Sequence, residues 1–173
     1  MPRKFVRPIK RVVIKVGSSL IANYQMKPRA AHLRSLVEQI CSAQKKGVEV
    51  VLVSSGAIVL GMGEVKLKTR PADLSSLQAL AAIGQTVLMR KYHEFFNKSK
   101  SKCGQVLLTW DDFDNRQRYN NARNTFRAML DYGIVPVVNE NDTISTEETK
   151  FGDNDRLSAL VASLIDADLL LIL

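Results

Sequence analysis

The chain has 173 residues, of which 46% are hydrophobic, and this is long enough to bury a core as a single domain. Its formal charge of +8 comes from 25 basic and 17 acidic residues, and no basic stripe is interleaved with aromatic residues, so we predict no nucleic-acid partner. No apolar run approaches the ~20 residues that a membrane helix needs. The basic N-terminus leads into a short β-like run and not into the apolar core of a signal peptide. We therefore predict a cytoplasmic protein with no membrane partner.

The first predicted strand, residues 11–16, reads RVVIKV and leads into Gly17-Ser18-Ser19. A lysine near the end of a buried strand, here Lys15, is unfavourable unless its ammonium group reaches an anion or water. The glycine and the two serines can bring backbone N–H groups close to an oxyanion. We interpret the turn as an anion-binding segment; the alternative is an ordinary turn beside a lysine that reaches solvent.

A second strand, residues 48–53, follows a helix that is predicted to begin at Pro28 and to stop at Gly47. It ends in Ser54, Ser55 and Gly56. Strand, helix and strand in this order predict a parallel pair, so the polar ends of the two strands should lie at the same edge of the sheet. We expect the three glycines at 56, 61 and 63 to loosen the next segment, and residues 66–71 to form an exposed loop.

A long helical pattern covers residues 73–98 and is interrupted by Gly84. Glycine inside a helix costs up to ~1 kcal/mol relative to alanine, which indicates close packing or a kink, and one helix or two remain open. Three more strands are predicted at residues 105–109, 134–138 and 168–173, with helices at 121–130 and 157–165. Neither the two cysteines nor the two histidines have the spacing of metal ligands, so no metal-binding residues are predicted.

Two polar clusters flank the loop after the fourth strand. Asn139-Glu140-Asn141-Asp142 follows the strand directly, and Asp153-Asn154-Asp155 stands where the next helix should begin. Asparagine and aspartate also make turns and helix caps, which is the alternative interpretation. In open α/β sheets, however, ligands bind at the carboxyl ends of the strands. Two such clusters around one loop favour a binding site there.

Seven motifs, in this order, closely resemble those of the glutamate 5-kinases, a branch of the amino acid kinase family: KVGSS (15–19), SSGAI (54–58), AAIGQ (81–85), QVLLT (105–109), NARNT (121–125), VPVVNENDT (135–143) and KFGDNDRLSA (150–159). The resemblance implies an α/β fold, a three-layer αβα sandwich around a mainly parallel sheet. It also implies ATP-dependent phosphorylation of the γ-carboxylate of L-glutamate, the first step of proline biosynthesis.

The resemblance also implies roles for individual residues. The implied catalytic residues are Lys15, which would contact the transferred phosphoryl group, and the acidic Asp153 and Asp155. The implied substrate-binding residues are Ser55, Gly56, Asn139, Asp142 and Asn154, and the implied ATP-binding residues are Lys15, Gly17, Ser18 and Ser19. Mg²⁺ would be bound mainly by phosphate and water oxygens.

The same resemblance implies that residues 1–173 are the N-terminal, substrate-binding part of a C-terminally truncated kinase domain. The nucleotide-binding half, with a second catalytic lysine, and any PUA domain are then expected to be absent, and the fragment to be inactive alone. The family also implies a homo-oligomer, dimer or tetramer, and proline as a feedback inhibitor. Two alternatives stay open: a family member that acts on a different carboxylate or carbamate, and a non-catalytic module that binds glutamate or proline.

Overall fold

The computed structural model of the chain describes residues 8–146 and 154–173. Five strands in these ranges form one sheet in the order β3-β4-β2-β1-β5, and every neighbouring pair is parallel. The strands are β1 (Arg11–Val16), β2 (Glu49–Ser54), β3 (Lys102–Leu108), β4 (Ile134–Glu140) and β5 (Leu169–Ile172). The predicted parallel α/β sheet is therefore confirmed.

Seven helices are described between these strands. They are α1 (Ser18–Ile21), α2 (Ala30–Lys45), α3 (Ala57–Glu64), α4 (Leu74–Lys98), α5 (Asp111–Asp114), α6 (Arg116–Asp131) and α7 (Asn154–Leu164). Helix α6 begins five residues before the predicted segment because Asn115 caps it, accepting hydrogen bonds from the backbone N–H groups of Gln117 and Arg118. None of the helices in the two described ranges is long and apolar enough to cross a bilayer.

The sheet separates two hydrophobic cores, which confirms the three-layer αβα arrangement. Successive side chains of a strand point to opposite faces, and β2 shows this alternation. Val50 and Leu52 pack in the core that includes α2 and α4, whereas Val51 and Val53 pack in the core that includes Phe126 of α6 and the apolar side of α7. Since both faces are covered, the strands carry near-continuous apolar runs, as the sequence indicated.

The register of the strands brings their polar ends to one edge. Val16 pairs with Ser54 across β1 and β2, and Val53 pairs with Val138 across β2 and β4. The turns after β1, β2 and β4 therefore emerge side by side, as predicted.

The glycines of α3 and α4 correct one expectation. The segment after Gly56 is not loosened but forms α3, and α4 is a single helix. A Cβ atom at Gly61 would lie 2.0 Å from the carbonyl oxygen of Leu80, and one at Gly84 would lie 1.7 Å from that of Ala57. Glycine is needed because the two helix backbones touch there, and close packing is thus the reason for Gly84.

We expect Gly84→Ala to destabilise the protein by roughly 1–3 kcal/mol, because the added methyl group overlaps the Ala57 carbonyl and must push the helices apart. The measurement is the free energy of unfolding from urea titration. Helix propensity alone predicts the opposite sign, a gain of up to ~1 kcal/mol, so a stabilised variant would contradict the packing argument. Thr86→Ala, at an exposed position of α4, is the control and should stabilise the protein by no more than ~0.7 kcal/mol, the gain from helix propensity.

Candidate active site

A cleft of about 390 Å³ opens at the carboxyl edge of β1, β2 and β4. It collects most of the residues singled out in the sequence, which come from segments far apart along the chain. The predicted site residues that line it are Lys15, Gly17, Ser18, Ser19, Ser55, Gly56, Asn139, Asp142 and Asn154. Asp153 lies outside the described residues. The remaining lining residues are Ala57, Ile58, Val59, Arg70 and Glu140.

Lys15 contributes a positively charged ammonium group to the cleft, and an ion pair holds that group in place. Its Nζ atom lies 2.5 Å from Oδ1 of Asp155, near the start of α7. The lysine side chain is 12% exposed and the aspartate side chain 46%, so the pair is partly solvated and sits at the rim of the protein interior. Asp155 therefore belongs to the site through Lys15, and the ion pair fixes where the ammonium group lies.

The turn after β1 is shaped by the sheet. The backbone N–H of Gly17 donates to the carbonyl of Leu173 at 3.0 Å, which extends the parallel ladder of β1 with β5. Ser18 and Ser19 follow in the first residues of α1 and are exposed toward the cleft. The N–H of Gly17 is thus used within the fold, and an anion at this turn would meet Ser18 and Ser19 instead.

The turn after β2 requires glycine. Gly56 has φ +100°, a left-handed conformation that residues with a Cβ rarely adopt, and a Cβ there would lie 2.8 Å from Cγ2 of Ile21. This sharp turn places Ser55 against the cleft and starts α3 immediately afterward.

Ser54, at the end of β2, anchors the floor of the site. It is fully buried, and its Oγ atom lies 2.8 Å from the hydroxyl oxygen of Tyr92, which is also fully buried. Its carbonyl oxygen accepts a 3.0 Å hydrogen bond from Nδ2 of Asn154. The helices α4 and α7, on opposite faces of the sheet, are thus connected through one serine.

Asn154 and Asn139 are joined directly. Nδ2 of Asn154 donates to Oδ1 of Asn139 at 2.8 Å, and the same oxygen accepts from the backbone N–H of Glu140 at 2.9 Å. Nδ2 of Asn139 donates to Oε1 of Gln85 at 3.0 Å. The side chain of Asn139 therefore serves to hold Asn154, and its predicted direct contact with substrate stays a prediction.

Three residues of the site were not found from the sequence. Arg70 lines the cleft from a segment predicted to be an exposed loop, and Glu140, 6% exposed, lies in the first polar cluster but was not selected. Gln85 was noted only as part of a motif. The available signal was the place of Glu140 in a polar cluster and of Gln85 in a motif. Arg70 and Gln85 reach the site through contacts distant in sequence, which a local pattern does not show.

The cleft carries both signs of charge. Lys15 and Arg70 contribute cations, and Glu140 and Asp142 contribute carboxylates. Such a lining suits a small ligand that itself carries both an ammonium group and carboxylates. Within the described parts of the chain, no three His, Cys, Asp or Glu side chains cluster so that they could hold a metal ion.

A sequence profile of the Amino acid kinase family matches residues 10–173. The chain belongs to this family. Curated relatives named glutamate 5-kinase include a protein of Teredinibacter turnerae, 47% identical over 171 residues, which cover 99% of this chain and 46% of the relative. A second, from Clostridium acetobutylicum, is 47% identical over 170 residues, covering 98% of this chain and 64% of the relative. The chain thus spans about half to two thirds of the length of these amino acid kinase relatives.

A solved structure described as Giardia carbamate kinase aligns with a TM-score of 0.61 at 16% identity, over 96% of this chain and 74% of the other. At this identity the likeness concerns the fold alone. It agrees with the three-layer amino acid kinase architecture found here.

We expect the hydroxyl of Tyr92 to stay protonated at pH 10, the usual pKa of a tyrosine. Burial raises the pKa of Tyr92 above its usual value of 10.0, because the charged form would lose its contact with water. Because the folded state holds this proton more tightly, its contribution to stability is complete below pH 10 and is lost as the pH rises through the folded-state pKa. Ultraviolet titration of tyrosinate in the folded chain measures this.

Tyr92→Phe is the comparison for that titration. It should leave the tyrosinate signal at pH 10 unchanged, since Tyr92 does not contribute to it, and should reduce the stability by about 1 kcal/mol because Ser54 loses its hydrogen bond with Tyr92. A variant with less tyrosinate signal than the parent at pH 10 would show that the Tyr92 hydroxyl is accessible.

Proposed function

We propose that this chain forms the amino-acid-binding part of a glutamate 5-kinase, which phosphorylates the γ-carboxylate of L-glutamate with ATP to give L-glutamyl 5-phosphate. In that role it would serve the first step of proline biosynthesis. The observation that carries the proposal is the cleft itself: Lys15, Ser55, Asp142 and Asn154 line a single cavity of about 390 Å³. The two relatives named glutamate 5-kinase, each 47% identical to the chain, support it.

The charges of L-glutamate match those of the cleft. The substrate carries one ammonium group and two carboxylates at neutral pH. In this proposal, Asp142 and the side-chain oxygen of Asn154 accept hydrogen bonds from the α-ammonium group, since a carboxylate and an amide oxygen are both acceptors. The hydroxyl of Ser55 donates to a substrate carboxylate, and Gly56 lets the backbone approach the substrate closely.

The reaction needs cations and N–H donors more than it needs a base. The γ-carboxylate is already ionised at neutral pH, and transfer of a phosphoryl group brings several negative oxygens together. Lys15, held by Asp155, is proposed to contact the transferred group, with Ser18 and Ser19 beside the phosphates and Gly17 shaping their turn. Asp153 is proposed to lie beside the same centre.

The positively charged and hydroxyl-bearing side chains of the cleft can bind the phosphate oxygens of ATP. No cluster of three metal-ligating side chains occurs among residues 8–146 and 154–173, so Mg²⁺ would be held mainly by phosphate and water oxygens. When bound, the ion would neutralise negative charge on the β- and γ-phosphates.

The proposal also includes inhibition by proline and assembly of the protein into an oligomer. Proline also carries an α-carboxylate and a charged amine, so it would compete for Asp142 and Asn154 as a feedback inhibitor. Assembly into a dimer or tetramer is proposed through α4, where Ile83 is 38% exposed despite its size and apolarity. A cytoplasmic location, and no nucleic-acid partner, complete the proposal.

The first test is the titration of L-glutamate into the chain by calorimetry. We expect saturable binding that Asp142→Asn weakens by about 10- to 100-fold, since a hydrogen bond to a charged group contributes about 1.5–3 kcal/mol. Asp131→Asn makes the same chemical change at the exposed end of α6 and should bind like the parent. A folded parent chain that shows no saturable binding, or an Asp142→Asn variant that binds normally, contradicts the proposal.

The phosphoryl side is tested with a stable analogue of L-glutamyl 5-phosphate in which CH₂ replaces the bridging oxygen. Lys15→Met should weaken binding of this phosphonate by roughly tenfold and that of L-glutamate by less than threefold, because the lost cation faces the phosphoryl group. Lys46→Met, an exposed lysine beyond α2, is the control. Equal weakening of both ligands would remove Lys15 from the phosphoryl position.

A further inference from the structure

Four amide side chains form a hydrogen-bonded chain that runs from the surface to the cleft. Nε2 of Gln85 donates to Oε1 of Gln105 at 3.1 Å, and Nδ2 of Asn139 donates to Oε1 of Gln85 at 3.0 Å. Nδ2 of Asn154 then donates to Oδ1 of Asn139 at 2.8 Å. Gln85, Asn139 and Asn154 are 9%, 4% and 8% exposed, so the inner part of this amide chain is shielded from water.

Backbone groups fix the direction of the amide chain. The N–H of Glu140 can pair only with an oxygen, and it donates to Oδ1 of Asn139 at 2.9 Å. The carbonyl of Ser54 can pair only with a donor, and it accepts from Nδ2 of Asn154 at 3.0 Å. Asn139 must therefore turn its NH₂ group toward Gln85, which in turn must present its oxygen.

This direction determines which atom Asn154 offers to a ligand. Its NH₂ group donates one hydrogen to Ser54 and the other to Asn139, so both donors are used within the protein. Oδ1 is the remaining polar atom of a side chain that lines the cleft. A rotated amide would instead present NH₂, a donor, to any ammonium group bound there, and the two would repel.

We propose that Gln85 is a positioning residue for substrate recognition. Acting through Asn139, and together with the N–H of Glu140 and the carbonyl of Ser54, it holds the amide of Asn154 so that Oδ1 receives the α-ammonium group of the amino acid substrate. This inference rests on the proposed function, because it assumes an amino acid in the cleft. It adds a residue of α4 that does not line the cleft and that would contact no substrate atom.

A purely structural role for Gln85 makes a different prediction. If the side chain only packed α4 against the edge formed by β3 and β4, its loss would weaken the fold and every ligand alike. If it orients Asn154, its loss should weaken only ligands with an ammonium group. L-Glutamate and glutarate differ by that group and share both carboxylates, so the pair of ligands separates the two roles.

The experiment measures the dissociation constants of L-glutamate and glutarate for the chain and for Gln85→Met, which keeps the length of the side chain but removes both hydrogen bonds. We expect L-glutamate to bind roughly tenfold more weakly, as the loss of one well-placed hydrogen bond would cause, and glutarate to change by less than about twofold. Gln39→Met is the matched control, since Gln39 bonds only Ser35 on the exposed side of α2.

Gln85→Glu provides the rescue. It keeps an oxygen facing Nδ2 of Asn139, so the orientation of Asn139 and Asn154 is retained. The hydrogen bond that Gln85 donates to Gln105 is lost, because a carboxylate has no N–H group. We expect its affinity for L-glutamate to return to within about threefold of the parent, which is a smaller loss than one hydrogen bond.

The outcomes are distinct. The inference is overturned if Gln85→Met keeps the parental ratio of the two affinities, whether both fall or neither does, or if Gln85→Glu binds L-glutamate as weakly as Gln85→Met. A folded parent chain that does not bind L-glutamate overturns the proposed function, and this inference with it. A parent that binds while the ratio stays unchanged in Gln85→Met overturns this inference alone.

Discussion

Strand β2 is buried on both faces of the sheet, and this constraint determines where polar chemistry can occur. Val50, Val51, Leu52 and Val53 are all at most 1% exposed, so the strand has no polar side chain between Glu49 and Ser54. Polarity begins only at Ser54, where the strand ends and its carbonyl and hydroxyl need partners away from water. The neighbouring polar ends of β1 and β4 lie at the same level, and together these ends form the cleft.

The helix contacts that support the cleft depend on glycine. Because Gly61 and Gly84 let the backbones of α3 and α4 touch, α4 lies close enough for Gln85, the residue after Gly84, to reach Asn139. Tyr92, about two turns farther along the same helix, reaches Ser54. One closely packed helix thus supplies two of the hydrogen bonds under the cleft, and a shift of α4 would disturb both.

The cleft is lined by both positively and negatively charged side chains. Lys15 is held by Asp155 of α7, and the oxygen-bearing side chains of Asp142 and Asn154 line the same cavity as Lys15. A cation and oxygen acceptors in one cavity suit the proposed amino acid ligand, which carries both signs of charge. In the proposed mode of recognition, the amide chain holds the atom that Asn154 presents, so buried side chains would contribute as well as those that line the cavity.

The sequence by itself determined the parallel α/β architecture, the edge at which the site lies and most of the residues that line it. Those features depend on local patterns: short apolar runs, glycine-serine turns, and polar clusters directly after a strand. It also indicated close packing at Gly84 but not the partner helix, and it misjudged α3, because glycines that loosen an isolated segment can also allow two helices to touch.

Only the tertiary structure decided what Gln85, Tyr92 and Arg70 lie beside. Gln85 is 54 residues from Asn139 in sequence, and Asn154 is 100 residues from Ser54, so no local period or motif specifies these hydrogen bonds. Tyr92 belongs to the apolar stripe of α4, and Arg70 to a solvated loop, until the sheet brings other segments beside them. The physical reason is that a buried polar group takes its partner from whatever the packing places within hydrogen-bond distance.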